Sequence, residues 1–218
     1  MIITIDGPAG AGKSTVARTL AQRLGFAFLD TGAMYRAVAL AALRAGVSLD
    51  DEVALSTLVE AMSLEMTPGR VLLNGADVSA AIRTQAVTDA SSLVAKSPVV
   101  RRHLVYLQRG IAQGQDIVCE GRDQGTVVFP DATCKFFLTA DAEDRARRRR
   151  RELAARGDAP DLPTLVEAIR RRDHQDANRP VGPMQVPTDA ILLDSTGLSA
   201  EQVVQRMEAE VRSRLSPT

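Results

Sequence analysis

The chain of 218 residues contains no tryptophan, and aromatic residues make up only 3% of it. A surface that grips single-stranded nucleic acid by stacking needs more rings than this. Cysteine occurs twice, at Cys119 and Cys134, each inside an apolar, strand-like run. Neither position matches a metal-ligand spacing, and two cysteines in a chain this long do not make a disulfide framework. They read as buried, reduced thiols. Lysine is confined to Lys13, Lys96 and Lys135, so nearly all positive charge is arginine. Arginine suits bidentate grip on phosphate, although a GC-rich genome gives the same bias on a surface. Neither sign of charge prevails: 27 basic residues stand against 27 acidic ones. No overall field therefore points to nucleic acid or membrane. No apolar run approaches the roughly 18 residues of a membrane span. The chain enters its first strand at once, with no signal-peptide pattern, so a cytoplasmic protein is expected.

What is present is led by one stretch, Gly7-Pro8-Ala9-Gly10-Ala11-Gly12-Lys13-Ser14-Thr15. It fits the phosphate-loop pattern GxxxxGK[ST] at every fixed position. Met1 to Ile5 before it is apolar and β-branched, as a buried parallel strand is. Val16, Leu20 and Leu24 after it recur at helical spacing, and Gly25 stands where a helix stops. The chemistry needs this order of strand, loop and helix. Glycines let backbone N–H groups turn inward around a phosphate, and the helix N-terminus adds partial positive charge. Lys13 can reach the β- and γ-phosphates and Ser14 can hold Mg²⁺, largely through water. The loop implies a nucleoside triphosphate without saying what becomes of its γ-phosphate.

The hydrophobic content of 45% and charged content of 25% are those of a globular protein. Further strands are predicted at Phe26–Asp30, Ile117–Glu120, Cys134–Leu138 and Ala190–Leu193. Helices are predicted at Tyr35–Ala45, Asp51–Met62, Thr88–Ala95, Pro98–Gln113, Ala142–Arg156 and Leu162–Asn178. Gly69-Arg70 and Asn74-Gly75 around Val71-Leu72-Leu73 predict a small antiparallel hairpin over about 64–78. Ser199-Ala200-Glu201-Gln202 is a capping box that opens the last helix. Strands alternating with helices imply an α/β fold, a five-stranded parallel sheet with helices on both faces. Substrates collect at the carboxyl ends of such strands, where Asp30, Glu120 and the phosphate loop fall.

Three further constellations carry chemistry. Asp30-Thr31-Gly32-Ala33-Met34-Tyr35-Arg36 offers a hydroxyl, a ring and an arginine for a second anion and its base. A helix cap with a core tyrosine accounts for it equally well. Glu120-Gly121-Arg122-Asp123 sets carboxylates around an arginine, for phosphate, Mg²⁺ or a base edge, or as a local ion pair. In the run Arg172 to Arg179, the residues Arg172, Asp176 and Arg179 share one helical face, which a solvated charged surface also explains. His103 and His174 sit in polar helical stretches, and no Ser-His-Asp or Cys-His set is present.

Together these stretches resemble the bacterial-type cytidylate (CMP) kinases of the P-loop nucleoside monophosphate kinase family. The matching runs are TIDGPAGAGKST, DTGAMYR, GADVSAAIRTQ, EGRDQGTVVFPDA, RRRDHQDANRPVGPM and ILLDSTGLS, which span nearly the whole chain. The resemblance implies one P-loop domain. Its core would be about 1–30, 115–141 and 180–218, with a monophosphate-binding insert about 31–114 and a lid about 142–160 before the helix 162–178. Within the insert, about 64–111 matches the enlargement that sets the bacterial enzymes apart. Gly7, Pro8, Ala9, Gly10, Ala11, Gly12, Lys13, Ser14 and Thr15 would bind ATP with Mg²⁺. Arg36, Arg122 and Arg179 match arginines that grip the CMP phosphate. Ser92, Arg101 and Asp123 match residues that read cytosine, and Arg172 and Asp176 the pair at the ribose hydroxyls. Thr31, Tyr35 and Gly121 match positions lining the same pocket. Arg145 and Arg149 match lid arginines that close over the ATP phosphates. Thr31 stands where serine is common, and Glu120 where aspartate is common. The implied activity is transfer of the γ-phosphoryl of MgATP to CMP or dCMP, with no need of nucleic acid or membrane; a monomer is expected, because a closing flap on each side of the core leaves less room for a fixed partner. Rival readings are a UMP, AMP or shikimate kinase on the same fold, or a nucleic-acid-associated ATPase. The lid run Arg147 to Arg151 is the only basic patch the last of these has to build on.

Overall fold

The computed structural model describes residues 1–155, 157 and 160–215. In chain order, β1 (Ile2–Asp6) leads through the glycine loop to α1 (Lys13–Leu24), β2 (Ala27–Asp30) and α2 (Thr31–Ala45). Next come α3 (Glu52–Ala61), the short strands β3 (Leu64–Thr67), β4 (Arg70–Leu73) and β5 (Ala76–Asp77), then α4 (Gln85–Val94) and α5 (Pro98–Ala112). The chain continues through β6 (Ile117–Glu120), β7 (Cys134–Thr139), α6 (Ala142–Ala154), α7 (Leu162–Asn178), β8 (Ile191–Asp194) and α8 (Ala200–Leu215). It divides into two compact units, Met1–Phe28 with Gln115–Thr218, and Leu29–Gly114.

The five strands expected from apolar runs form one parallel sheet, in the order β2-β6-β1-β7-β8. β1 pairs with β6 and β7, and β7 with β8. Composition explains the order. β6 is buried at every residue and β7 at all but its last, as strands covered on both faces must be. β8 alternates between half-buried and exposed, which suits an edge. One side of the sheet takes α1 and α8. Val16, Ala17, Leu20 and Ala21 pack with Ile3, Ile5, Phe136 and Leu138, and Val204, Met207 and Val211 complete the cluster. The register places Ile5 opposite both Glu120 and Phe136, so β1 and β6 finish level at the mouth of the glycine loop.

Several helix boundaries differ from those read in the sequence, and capping side chains are the reason. α2 starts at Thr31, four residues before the predicted Tyr35, because Asp30 accepts a hydrogen bond from the Ala33 N–H at 2.7 Å. α4 starts at Gln85, where the Thr84 hydroxyl accepts from the Val87 N–H. α6 ends at Ala154, and Arg156, the predicted last residue, lies outside the described residues. The capping box forms as read: Gln202 N–H donates to the Ser199 hydroxyl, and Ser199 N–H donates to the Gln202 side chain. The expected hairpin over 64–78 is a three-stranded antiparallel sheet, β3-β4-β5, with Asn74 at φ 50° in its second turn. Inside that unit α2 packs chiefly on α4, and α3 on α5. No described helix is long and apolar enough to cross a membrane.

Leu20 is fully buried where α1 meets the sheet. Leu20→Ala should lower the unfolding free energy by about 2–5 kcal/mol, since a cavity remains where the side chain packed. Urea unfolding followed by circular dichroism measures the change.

Candidate active site

β1 delivers the chain into the phosphate loop at Gly7, which has φ 141°. A Cβ there would lie 2.0 Å from the Leu138 carbonyl oxygen of β7, so only glycine fits between the strands. α1 then opens on Gly12, which has no side chain with which to close the first turn. α2, α3, α4, α5 and α7 are instead closed by Asp30, Asp51, Thr84, Ser97 and Asp161. The first N–H groups of α1 are thus left to meet an anion.

Lys13, the first residue of α1, is buried and donates from Nζ to the Pro8 carbonyl at 2.7 Å. Burial, and next the charge of Arg122, push its ammonium down to about 7 against the pull of Glu120, Asp176 and Asp6. Phosphate oxygens beside it would restore the charge. Ser14 Oγ donates to Glu120 Oε1 at 2.5 Å, which brings the hydroxyl of the loop and the carboxylate ending β6 together.

α6 brings two arginines to the carbonyls of the loop. Arg145 donates from Nη1 to Ala9 O at 3.1 Å, from Nε to Ala140 O at 2.8 Å, and pairs with Asp173 at 2.7 Å. Arg148 donates to Ala11 O at 3.2 Å and to the Ser195 hydroxyl at 3.1 Å, and pairs with Asp144 at 2.7 Å. Arg149, the other arginine that the resemblance assigns to the lid, pairs with Glu152 at 3.2 Å. Arg148, Asp173 and Ser195 did not figure among the sequence candidates. Helical spacing puts both 148 and 149 near the face of 145, and only the packing of α6 separates them.

Arg122, Asp123, Asp176 and Arg179 meet within the same unit. Arg122 Nε donates to Asp176 Oδ2 at 2.8 Å, and its Nη1 to the Gly121 carbonyl at 3.2 Å. Burial opposes the Arg122 charge, but Asp176 and Glu120 outweigh it and hold the guanidinium above its ordinary value. Burial likewise pushes Asp176 up, and Arg122, with Arg172 and Arg179 behind it, carries the carboxyl below its ordinary range. Arg179 pairs with Asp123 at 3.4 Å, and its Nε donates to the Gly182 carbonyl. In the other unit Arg36 pairs with Asp30 at 3.2 Å, and the buried Arg101 lies over the Tyr35 ring, 5.8 Å from its centroid. Thr31 is buried at the start of α2, and Ser92 is half-buried on α4. Cys119 and Cys134 are buried and free, and burial pushes Cys119 up to about 12 and raises Cys134. Both shifts disfavour the thiolate that nucleophilic attack needs.

Sequence reading also passed over Asp6, the last residue of β1. Its Oδ1 accepts from the Gln124 N–H at 2.9 Å and its Oδ2 from the Gly125 N–H at 2.7 Å. These amides open a wide helical turn over Gln124–Val128 in which the Val127 and Val128 N–H groups donate back to the Asp123 carbonyl. An acidic residue ending a strand just before a glycine was the available signal.

A parallel sheet whose central strand runs into a lysine-bearing glycine loop defines the P-loop kinase class of fold. The fold recurs in an uncharacterized protein from Eubacterium ventriosum ATCC 27560, with TM-score 0.55 at 13% identity, covering 98% of this chain and 99% of that one. It recurs also in the shikimate kinase from Bacteroides thetaiotaomicron, with TM-score 0.50 at 13% identity over 97% of this chain and 98% of that one. Such distant likenesses speak for the fold alone. Sequence goes further: the cytidylate kinase family model matches residues 3–213. The cytidylate kinase of Pelotomaculum thermopropionicum is 52% identical over 96% of this chain and 95% of its own. That of Geobacillus kaustophilus is 49% identical over 98% and 97%. The chain belongs to the cytidylate kinase family.

Burial pushes the Asp6 carboxyl up from 3.8 to about 6, with the nearby charge of Asp123 adding to it and the two N–H bonds and Lys13 opposing. Between these values the folded chain holds a proton that the unfolded chain has released. The contribution of Asp6 to stability is therefore full below about pH 4 and lost as pH rises through about 6. Relative to Asp6→Asn, the wild type should gain up to about 3 kcal/mol on going from pH 7 to pH 4. Urea unfolding of both proteins across that range tests the sign.

Proposed function

We propose that the protein transfers the γ-phosphoryl group of ATP to CMP, and to dCMP, giving CDP or dCDP and ADP. The observation that carries this reading is the family match along the chain, together with a phosphate loop whose lysine feels the charge of the half-buried Arg122, itself paired with Asp176. A phosphate oxygen of CMP attacks the γ-phosphorus, the bond from that phosphorus to the β–γ bridging oxygen breaks, and ADP keeps the electron pair. The attacking oxygen is already an anion, so no general base is required. What the reaction needs is placement and charge neutralisation. Lys13 and the α1 N-terminus serve the β- and γ-phosphates. Arg122 and Arg179 serve the CMP phosphate, and Asp176 and Asp123 fix the direction of their guanidinium groups. Arg36, held by Asp30, serves the same phosphate. Arg172 and Asp176 serve the ribose hydroxyls. Arg145 and Arg148 lie at the loop carbonyls, from where they serve the donor side; Arg149 follows in the same helix.

The donor set beside Lys13 fits Mg²⁺. Ser14 and Glu120 offer hard oxygens, and no described group of three or more His, Cys, Asp or Glu forms a cage of its own. Such a site suits an ion that takes most of its ligands from phosphate and water. Ser14 would hold the ion with Glu120 beside it, and the ion supplies charge neutralisation on the β- and γ-phosphates. ADP release with ATP and a panel of CMP, dCMP, UMP, AMP and shikimate tests the function. Fastest turnover on CMP or dCMP is expected. Hydrolysis that needs no acceptor and rises with DNA or RNA would move the protein to another class.

Lys13→Ala removes a preorganised charge at the β–γ bridge. It should lower kcat by about a hundredfold or more, with a smaller loss of ATP affinity. Single-turnover kinetics beside ATP titration separates the two effects, and a variant keeping a tenth of the activity would argue against the role.

Asp123 is suited to accept from the cytosine amino group, while Arg101 donates to N3 or O2 and Ser92 adapts to either. UMP would set an oxygen against the carboxylate and leave its own N3–H without an acceptor. Unpaired buried groups cost about 1–3 kcal/mol each, so CMP should be preferred to UMP by roughly a hundredfold or more. Asp123→Asn should narrow that ratio in kcat/KM, chiefly by harming CMP. An unchanged ratio would remove Asp123 as the reader of the base.

A further inference from the structure

We propose that Asp6 is a positioning residue for the acceptor nucleotide: from the end of β1 its carboxylate carries the turn that presents Arg122 and Asp123. The inference rests on the reading that these two residues hold CMP. Asp6 is fully buried, and each of its oxygens accepts one backbone N–H, from Gln124 and from Gly125. These are the first two amides after Asp123. In a helical turn the first N–H groups have no partner inside the turn. A carboxylate meets both at once. An amide cannot, because its NH₂ would face one of the N–H groups.

The other side of the turn is closed as well. A Cβ on Gly125 would stand 3.0 Å from Thr4 Oγ1, 3.0 Å from a Pro187 carbon and 3.3 Å from the Lys135 stem. The turn therefore sits directly on β1, held by Asp6 and pressed by Thr4. It cannot shift without moving Asp123, whose carbonyl is committed to Val127 and Val128 and whose carboxylate pairs with Arg179. Arg122 precedes it and pairs with Asp176. Asp6 is also the residue before Gly7, so one strand end anchors the donor loop through its backbone and the acceptor turn through a side chain. Burial works against the charge on Asp6, with Asp123 and Lys13 the charged groups facing it. A neutral side chain would escape that cost, and the two amide donors give the carboxylate its use.

Steady-state kinetics with CMP and ATP varied separately tests this on the wild type, Asp6→Asn, Asp123→Asn and Gly125→Ala, with amide hydrogen exchange at Gln124 and Gly125. Asp6→Asn should raise KM for CMP by about tenfold or more, as a displaced binding group does, with KM for ATP within about threefold. Exchange at the two amides should quicken. Gly125→Ala pushes the same turn from its other side while keeping Asp6, so it should show the same selective loss, and it decides the matter if Asp6→Asn does not fold. An unchanged KM for CMP, or equal rises for both substrates, would overturn the proposal. If Asp123→Asn leaves the CMP-to-UMP ratio unchanged, the base-reading role fails by itself. A CMP-selective loss in Asp6→Asn then still supports positioning, through Arg122.

Discussion

Burying a lysine or arginine costs several kcal/mol unless an opposite charge or a hydrogen-bonding oxygen lies beside it. This chain buries Lys13, Arg145 and Arg179 in one compact unit. Each has its answer: the Pro8 carbonyl for Lys13, Asp173 and two carbonyls for Arg145, Asp123 and the Gly182 carbonyl for Arg179. The half-buried Arg122 follows the same rule with Asp176. Positive charge is thus held in fixed directions by the fold itself. An array that had to assemble after substrate arrived would lose much of its electrostatic effect to reorganisation.

The pairing depends in turn on the sheet. Three carboxylates, Asp6, Asp30 and Glu120, are the last residues of β1, β2 and β6. Parallel strands end on the same side, so alternating strands and helices gather such groups along one edge without any special sequence between them. The close approach of Gly7 to the Leu138 carbonyl lets the loop leave β1 beside β7 with no side chain in the way. Behind the edge, α1 and α8 bury the apolar side of the strands, and that burial is the support for the charged edge.

The fold does not choose the substrate. A shikimate kinase shares it at 13% identity. Sequence likeness goes further than the fold: the cytidylate kinases of two other organisms agree with this chain at about half of the positions over almost the whole length.

Most elements and the phosphate loop can be read from the residues alone, helix starts apart. Local patterns carry that information: an apolar β-branched run, a 3.6-residue period, a capping box and the glycine spacing all act within a few residues of one another. The phosphate loop, the five core strands and the span of α7 were legible for that reason. The shared helical face of Arg172, Asp176 and Arg179 was legible too, but not the pairing of Asp176 with Arg122, 54 residues away. Tertiary structure decided the rest. The order β2-β6-β1-β7-β8 depends on pairings far apart in the chain, which no local period encodes. Which of Arg148 and Arg149 meets a loop carbonyl depends on the rotation of α6 against the loop, and two neighbours in a run of arginines look alike until a carbonyl stands in front of one. Asp6 shows in the sequence only as an acidic residue before a glycine; what it holds is not visible there, because its two partners lie 118 and 119 residues away. A backbone N–H has no sequence signature, so the carboxylate that meets it becomes visible only when the chain has folded.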